Sequence, residues 1–167
     1  MFDEIEKSLQ LPYKLIDIDN CGEHFIFAFK KYDESQNEYS IKLGGITGDF
    51  ELTYKSLGLE CQFECDITVG NVYDFYRELE YAYQASKNTE AKLKNYGNIL
   101  NRTFLQFRFD KLGHCILIGN FKNKFTQYRN GVTFEIEIDQ TYVAEILSSL
   151  KFFFEKLKSI QGHDTFY

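Results

Sequence analysis

Between Pro12 and Asp66 the chain is patterned for strands. Tyr13-Lys14-Leu15-Ile16-Asp17-Ile18 alternates loosely, and His24 to Lys31 places Phe25, Phe27 and Phe29 on one face. A side-chain period of two marks a strand with one face buried. Tyr32 to Glu38 reads as a polar turn. Tyr39, Ile41 and Leu43 then alternate with Ser40 and Lys42, so the two runs form an expected hairpin. Gly44-Gly45 and Gly48-Asp49 break the pattern before further strands at Phe50 to Tyr54 and Leu59 to Ile67.

The period then changes. Val72, Phe75, Tyr76, Leu79 and Tyr83 fall at three- and four-residue steps, which predicts an amphipathic helix beginning near Asn71. Asn71 is a suitable N-cap, and Asp74 suits the positive end of the helix dipole. Ser86 to Gly97 is charged and reads as a connector with one helical turn. Strand patterning returns at Leu105, Phe107 and Phe109, followed by an Asp110 to Gly113 turn and a returning strand from His114 to Phe121. Asn130-Gly131 is a strong hairpin signal, because both residues tolerate the left-handed backbone of a tight turn. Val132, Phe134, Ile136 and Ile138 then alternate with Glu135 and Glu137. A long helix from about Thr141 to Ile160, capped by Asp139, carries Val143, Ile146, Leu147, Leu150, Phe153, Phe154 and Leu157 on one stripe.

The order strands, helix, strands, helix, with short turns between strands, requires antiparallel pairing. The expected fold is α+β. It is a single domain over residues 1–167 with a large, mainly antiparallel sheet of about seven strands. A mid-chain helix and a long C-terminal helix pack on that sheet, and residues 1–11 form a flexible or short helical N-terminus. Phe27, Phe107, Ile116, Ile136, Leu147, Leu150 and Phe154 are the expected deep core.

Composition narrows the class. The chain has 167 residues, enough for one core, and aromatics reach 17% with 17 Phe, 12 Tyr, no Trp and one Pro. Such a bias suits pleated, half-buried surfaces. Met1 to Gln10 mixes Asp3, Glu4, Glu6 and Lys7 with apolar residues and lacks the layout of a signal peptide. No run of eighteen apolar residues spans a membrane. A cytoplasmic protein is therefore expected, with Cys21, Cys61, Cys65 and Cys115 as buried, reduced thiols. The net charge of −6 is uneven. Residues 1–70 hold 6 basic and 14 acidic side chains, a balance of −8, and residues 71–167 hold 13 and 11, a balance of +2.

Catalytic chemistry is hard to assemble from these residues. A zinc site built from Cys21, His24, Cys61, Cys65, His114 and Cys115 fails on geometry. Cys61 and Cys65 on one strand stand ~13 Å apart, whereas two thiolates on one zinc each lie at ~2.3 Å from it. Adjacent His114 and Cys115 point to opposite faces of a strand. No Gly-x-Ser-x-Gly elbow is present, and a Cys115–His24 dyad would need the two to meet in space. Gly44 to Gly48 is glycine-rich, yet no Lys-Ser/Thr follows it. No cofactor, metal or catalytic residue is expected. Arg102, Phe104, Gln106 and Arg108 share the outward face of a strand, a combination that suits single-stranded RNA, but no RNA-binding motif accompanies it and nucleic acid is not the expected partner. Glu135, Glu137 and Asp139 alternate along one strand with steps of ~7 Å, an acidic stripe that can receive a basic partner. Its plainer reading is a solvated face balanced by Lys and Arg across the ladder.

As a whole the chain resembles the WapI-type immunity proteins of bacterial contact-dependent polymorphic toxin systems. The resemblance lies in an ordered set of segments. These are FIFAFKKYD (Phe25–Asp33), GDFELTYKSLG (Gly48–Gly58), VGNVYDFYREL (Val69–Leu79), GHCILIGNF (Gly113–Phe121), FEIEIDQTYV (Phe134–Val143) and LSSLKFFFEKL (Leu147–Leu157). It implies a non-enzymatic cytosolic protein that binds and neutralises a cognate toxin domain, and an acidic inhibitor suits a basic nuclease. The stripe Glu135, Glu137 and Asp139 is the candidate contact. Two other classes stay open from the residues alone. One is a small enzyme or ligand-binding domain with a pocket in a curved aromatic sheet, near His114, Cys115 or Arg108. The other is an RNA-binding module.

Overall fold

A computed structural model describes residues 7, 9–33, 35–36, 46–65, 67–85, 87–95, 102–122 and 131–161. Four strands come first: β1 (Tyr13–Asn20), β2 (Glu23–Tyr32), β3 (Gly48–Ser56) and β4 (Leu59–Cys65). Helix α1 (Val69–Ala85) leads to β5 (Thr89–Asn95), β6 (Arg102–Phe109), β7 (Cys115–Lys122) and β8 (Gly131–Ile138), and α2 (Gln140–Gln161) closes the series. The fold is α+β and antiparallel throughout, as the patterning predicts. Among the described residues eight strands form two four-stranded meanders, β1-β2-β3-β4 and β5-β6-β7-β8, in place of one sheet of about seven. The expected strand at Tyr39 to Leu43, the Gly97-Asn98 turn and Asn130 lie outside the described residues.

The added strand is β5, where the charged stretch from Ser86 was expected to be a connector. Ala91 and Leu93 are buried while Glu90, Lys92 and Lys94 face outward, so the segment alternates like any half-buried strand. Its two apolar side chains are small or isolated among charges, which hid the period. The strand pairs with β6 from Thr89–Phe109 to Asn95–Arg102. It also lies against α1: the Lys92 amide donates to the Glu78 carboxylate at 2.9 Å, and Thr89 Oγ1 donates to Ala82 O at 3.1 Å.

The start of α1 differs by one turn from expectation. Thr68 is the N-cap and Asn71 its reciprocal partner. The Asn71 amide donates to Thr68 Oγ1 at 3.2 Å, and the Thr68 amide donates to Asn71 Oδ1 at 2.9 Å. Two amides are satisfied by one pair, which is why the cap sits at Thr68. At α2 the cap is Asp139 as expected. Its Oδ1 accepts the Thr141 amide at 2.7 Å and the Thr141 hydroxyl, and the Tyr142 amide donates to Asp139 O at 3.1 Å. These bonds, the hydroxyl first, hold the Asp139 carboxyl below its ordinary value.

The inner faces of the two sheets and both helices contribute to one buried cluster. Phe153 of α2 packs on Phe29 at 5.4 Å between centroids, and Tyr13 Oη donates to Ser149 O at 3.1 Å, so α2 lies against the β1 side of the first sheet. On the second sheet Phe75 of α1 meets Phe107 at 5.7 Å. Tyr73 and Tyr76 of α1 meet Phe154 of α2 at 5.0 and 5.7 Å, which joins the helices. The sheets touch each other directly at Phe134, whose ring stacks on Tyr54 at 4.0 Å and 5° and stands 5.5 Å from Phe25. Phe134 lies over its cross-strand neighbour Gly119. A Cβ there would come within 2.3 Å of the Phe134 ring. Of the expected core, Phe27, Phe107, Ile136, Leu150 and Phe154 are buried. Ile116 and Leu147 are only partly buried, because Ile116 falls on the outer face of β7 and Leu147 at the margin of the α2 stripe.

Three stability effects are expected from this packing. Leu150→Ala should cost about 2–5 kcal/mol in chemical denaturation, from lost transfer and a residual cavity. Gly119→Ala should cost about 1–3 kcal/mol, because the added methyl forces Phe134 off its stack with Tyr54. For Asp139 the folded state favours the ionised form, so its contribution is present above the carboxylate range and fades as pH falls through it. Asp139→Ala should therefore lower the Tm at neutral pH, and the gap to wild type should close under acid. A gap that is constant from pH 7 to pH 3 would contradict the cap.

Candidate functional site

Adjacent antiparallel partners share a face, so the outer surface of the second sheet can be read from its register. One row runs Glu90, Arg108, Ile116, Glu137, and the next runs Lys92, Gln106, Ile118, Glu135. Glu135 and Glu137 are exposed near one margin of this face, and beside them stand the half-buried Ile116 and Ile118. The cross-ladder neighbours of the two carboxylates are thus isoleucines, not the Lys and Arg of a balanced solvated face. Glu90 differs: it forms an ion pair with Lys92 and accepts from Gln106 Nε2 at 2.6 Å. Asp139 lies just past the end of β8 and is exposed, but its carboxylate is occupied by the α2 cap. The structure therefore places Glu135 and Glu137 together and sets Asp139 apart by its hydrogen bonds.

Several carboxylates on the outer face of the first sheet are paired with basic side chains. Lys30 binds Glu51 at 3.0 Å, Lys55 binds Glu60 at 2.8 Å, and Lys14 and His24 bind Asp17 at 2.7 and 3.1 Å. Against the upward push of partial burial, the bonds from Lys14 and His24 hold Asp17 below the ordinary carboxylate range. Among the described residues neither Glu135 nor Glu137 has a cation within ion-pair distance, a contrast with these carboxylates.

The other candidate groups separate. Cys115 is fully buried on the inner face of β7, and burial pushes its thiol up to about 12. His24 stands on the outer face of β2 with Asp17, and His114 pairs with Asp110 at 3.3 Å, so neither histidine activates that thiol. Cys61 and Cys65 stand four residues apart on β4. Cys65 and Cys115 are buried as expected, whereas Cys61 is half-buried and Cys21 is exposed, a correction that follows from the turn position of Cys21. Among the described residues no three His, Cys, Asp or Glu side chains are placed to hold a metal. The mixed face expected at Arg102, Phe104, Gln106 and Arg108 is broken. The β5–β6 register shifts between Leu93 and Lys94, and Phe104 turns into the core. An open cleft of about 510 Å³ at the start of β3 is lined by one aromatic residue, Tyr32, and otherwise by Lys31, Asp33, Ser35, Thr47, Gly48 and Asp49, a mainly polar lining unlike an aromatic ligand pocket. His163 lies outside the described residues.

One end of the first sheet holds residues that sequence patterning passed over. The β1–β2 turn has Cys21 at φ +52° before Gly22, and the β3–β4 turn has Leu57 at φ +42° before Gly58. Positive φ at both central positions is the hairpin geometry that selects Asn-Gly. A bulky L-residue held there costs about 1–2 kcal/mol. The signal in the sequence was Ser56-Leu57-Gly58-Leu59, a turn with leucine where a small polar residue belongs.

Among the described residues no helix is long and apolar enough to cross a membrane. Comparison with curated proteins and with solved structures gives no match. The family model of the immunity protein WapI-like family matches residues 15–158, from within β1 almost to the end of α2. By the extent of that match the chain belongs to the WapI-like immunity protein family.

Proposed function

We propose that this protein is a non-enzymatic immunity protein that acts in the cytosol by binding a cognate toxin domain, with Glu135 and Glu137 on the contact surface. Family membership supports the class of partner, a protein toxin. The observation that carries the surface is that, among the described residues, these two carboxylates have no cation partner and stand beside Ile116 and Ile118, whereas Asp17, Glu51, Glu60 and Glu90 on the outer faces are each paired with a basic side chain. Carboxylates free of intramolecular cations attract a basic partner at long range, and the adjacent half-buried isoleucines supply apolar area once it docks. A net charge of −6 acts in the same direction. Asp139 adds to the local field, while its hydrogen-bonding capacity is spent on α2.

Rim charges act mainly on the association rate. The test is co-expression with the toxin domain encoded beside this gene, wild type against Glu135→Lys plus Glu137→Lys, with association measured at two ionic strengths. Wild type should protect the cell. The double reversal should keep the fold, slow association by at least about tenfold at low salt and flatten its salt dependence. Absence of protection by wild type would overturn the immunity reading. Protection with unchanged association rates would remove only the assignment of Glu135 and Glu137.

A further inference from the structure

The ends of the β1–β2 and β3–β4 hairpins lie side by side. Asn20 pairs with Glu23, Glu23 with Ser56, and Ser56 with Leu59, so the two turns form one edge of the first sheet. Leu57 at this edge has a relative exposure of 101%, and Leu59 next to it has 49%. A Cβ placed on Gly58 or on Gly22 would find nothing within 4 Å, so the surroundings are open. Leu57 thus combines two unfavourable features: a left-handed backbone that its side chain resists, and an apolar side chain wholly in water. Asn at this position would remove both. Strain that no contact among the described residues repays points to a contact made outside the chain.

The surroundings define what that contact must be. Behind the tip Asp19, His24, Lys55 and Glu60 form one row, with Lys55 paired to Glu60 at 2.8 Å. Glu23 at the strand end accepts from Tyr54 Oη at 2.8 Å, so the three acids leave this end of the sheet net acidic. Asn20 Nδ2 donates to Glu137 O at 2.7 Å, which sets β8 beside the first turn. Two strand spacings separate β1 from β3, so the leucine tip stands roughly 10 Å farther along the same end of the molecule. The Glu137 end of β8 and the apolar tip therefore lie toward the same end of the molecule.

We infer that Leu57, supported by Leu59, is an apolar anchor that inserts into a pocket on the toxin domain, a basic protein surface with a leucine-sized hollow rimmed by Lys or Arg. The inference rests on the immunity reading and gives it a second element: carboxylates guide encounter, and the leucine tip sets the lifetime of the complex. Anchors of this kind are buried at the centre of an interface, inside a polar rim.

The experiment uses the full chain and the toxin domain encoded beside its gene. Leu57→Asn suits the left-handed turn, so its Tm should equal or exceed that of wild type. Its complex should nevertheless weaken by at least about 30-fold, the size of a hot spot, chiefly through faster dissociation. Leu57→Met retains apolar bulk and should bind within about threefold of wild type. Leu59→Ser gives a second reading of the same anchor and should weaken the complex as well. A complex of Leu57→Asn that matches wild type while the wild type binds overturns the anchor and leaves the immunity reading standing. Failure of the wild type to bind overturns both. Light scattering covers the alternative occupant: a wild type that self-associates, lost in Leu57→Asn, would assign the tip to a second copy of this chain and overturn the proposal.

Discussion

The packing of Phe134 over Gly119 and against Tyr54 and Phe25 joins two sheets that share no ladder. Each sheet is a four-stranded meander with one apolar face, and such a face alone cannot stay in water. Gly119 leaves room for the ring where a larger side chain on β7 would collide with it. Phe121 at 5.7 Å extends this junction toward Phe63 of β4. The helices complete the enclosure: α1 on the second sheet through Phe75, α2 on the first through Phe153, and the two joined through Phe154. The high aromatic content serves this layered core.

The same junction sets the geometry of the outer surface. β8 carries Phe134 and Ile136 inward and Glu135 and Glu137 outward, so packing on one face fixes where the carboxylates stand. Asn20 and Tyr142 tie the end of β1 to β8 and to the start of α2, through Glu137 O and Asp19 O respectively. The hairpin end that holds Cys21 is thereby held beside β8, and the ladder from Glu23 to Ser56 places the Leu57 turn next to it in the first sheet. In the proposed account a rigid edge presents both the charge that attracts a basic toxin and the apolar tip that retains it, with little ordering cost on binding.

Elements with strong periods were legible in the sequence. Phe25, Phe27 and Phe29 announced β2, Val132 to Ile138 announced β8, and the α2 stripe was legible over five turns with its Asp139 cap. β5 was hidden because Ala91 and Leu93 are weak apolar signals among charges. The cap of α1 was misplaced because Thr68-x-x-Asn71 works as a reciprocal pair, and only its second member was read. Phe104 could not be placed without the register shift that turns it inward. Of the candidate surface, Glu135 and Glu137 were legible as alternating carboxylates. Their unpaired state was not, since it depends on Ile116 and Ile118 of another strand. Leu57 was passed over for a different reason: Ser56-Leu57-Gly58-Leu59 signals a turn, but the exposure and left-handed backbone of its leucine emerge only when the turn is built.

The central claim is that one edge of this molecule, formed by two hairpin ends and the neighbouring face of β8, meets the toxin domain. Amide hydrogen exchange with and without that domain tests it most directly. The account predicts slowed exchange in residues 19–23, 56–60 and 131–138 on complex formation, with the exposed sides of α1 and β5 unchanged. Protection confined to α1 and β5, with these three segments exchanging as in the free protein, would contradict it.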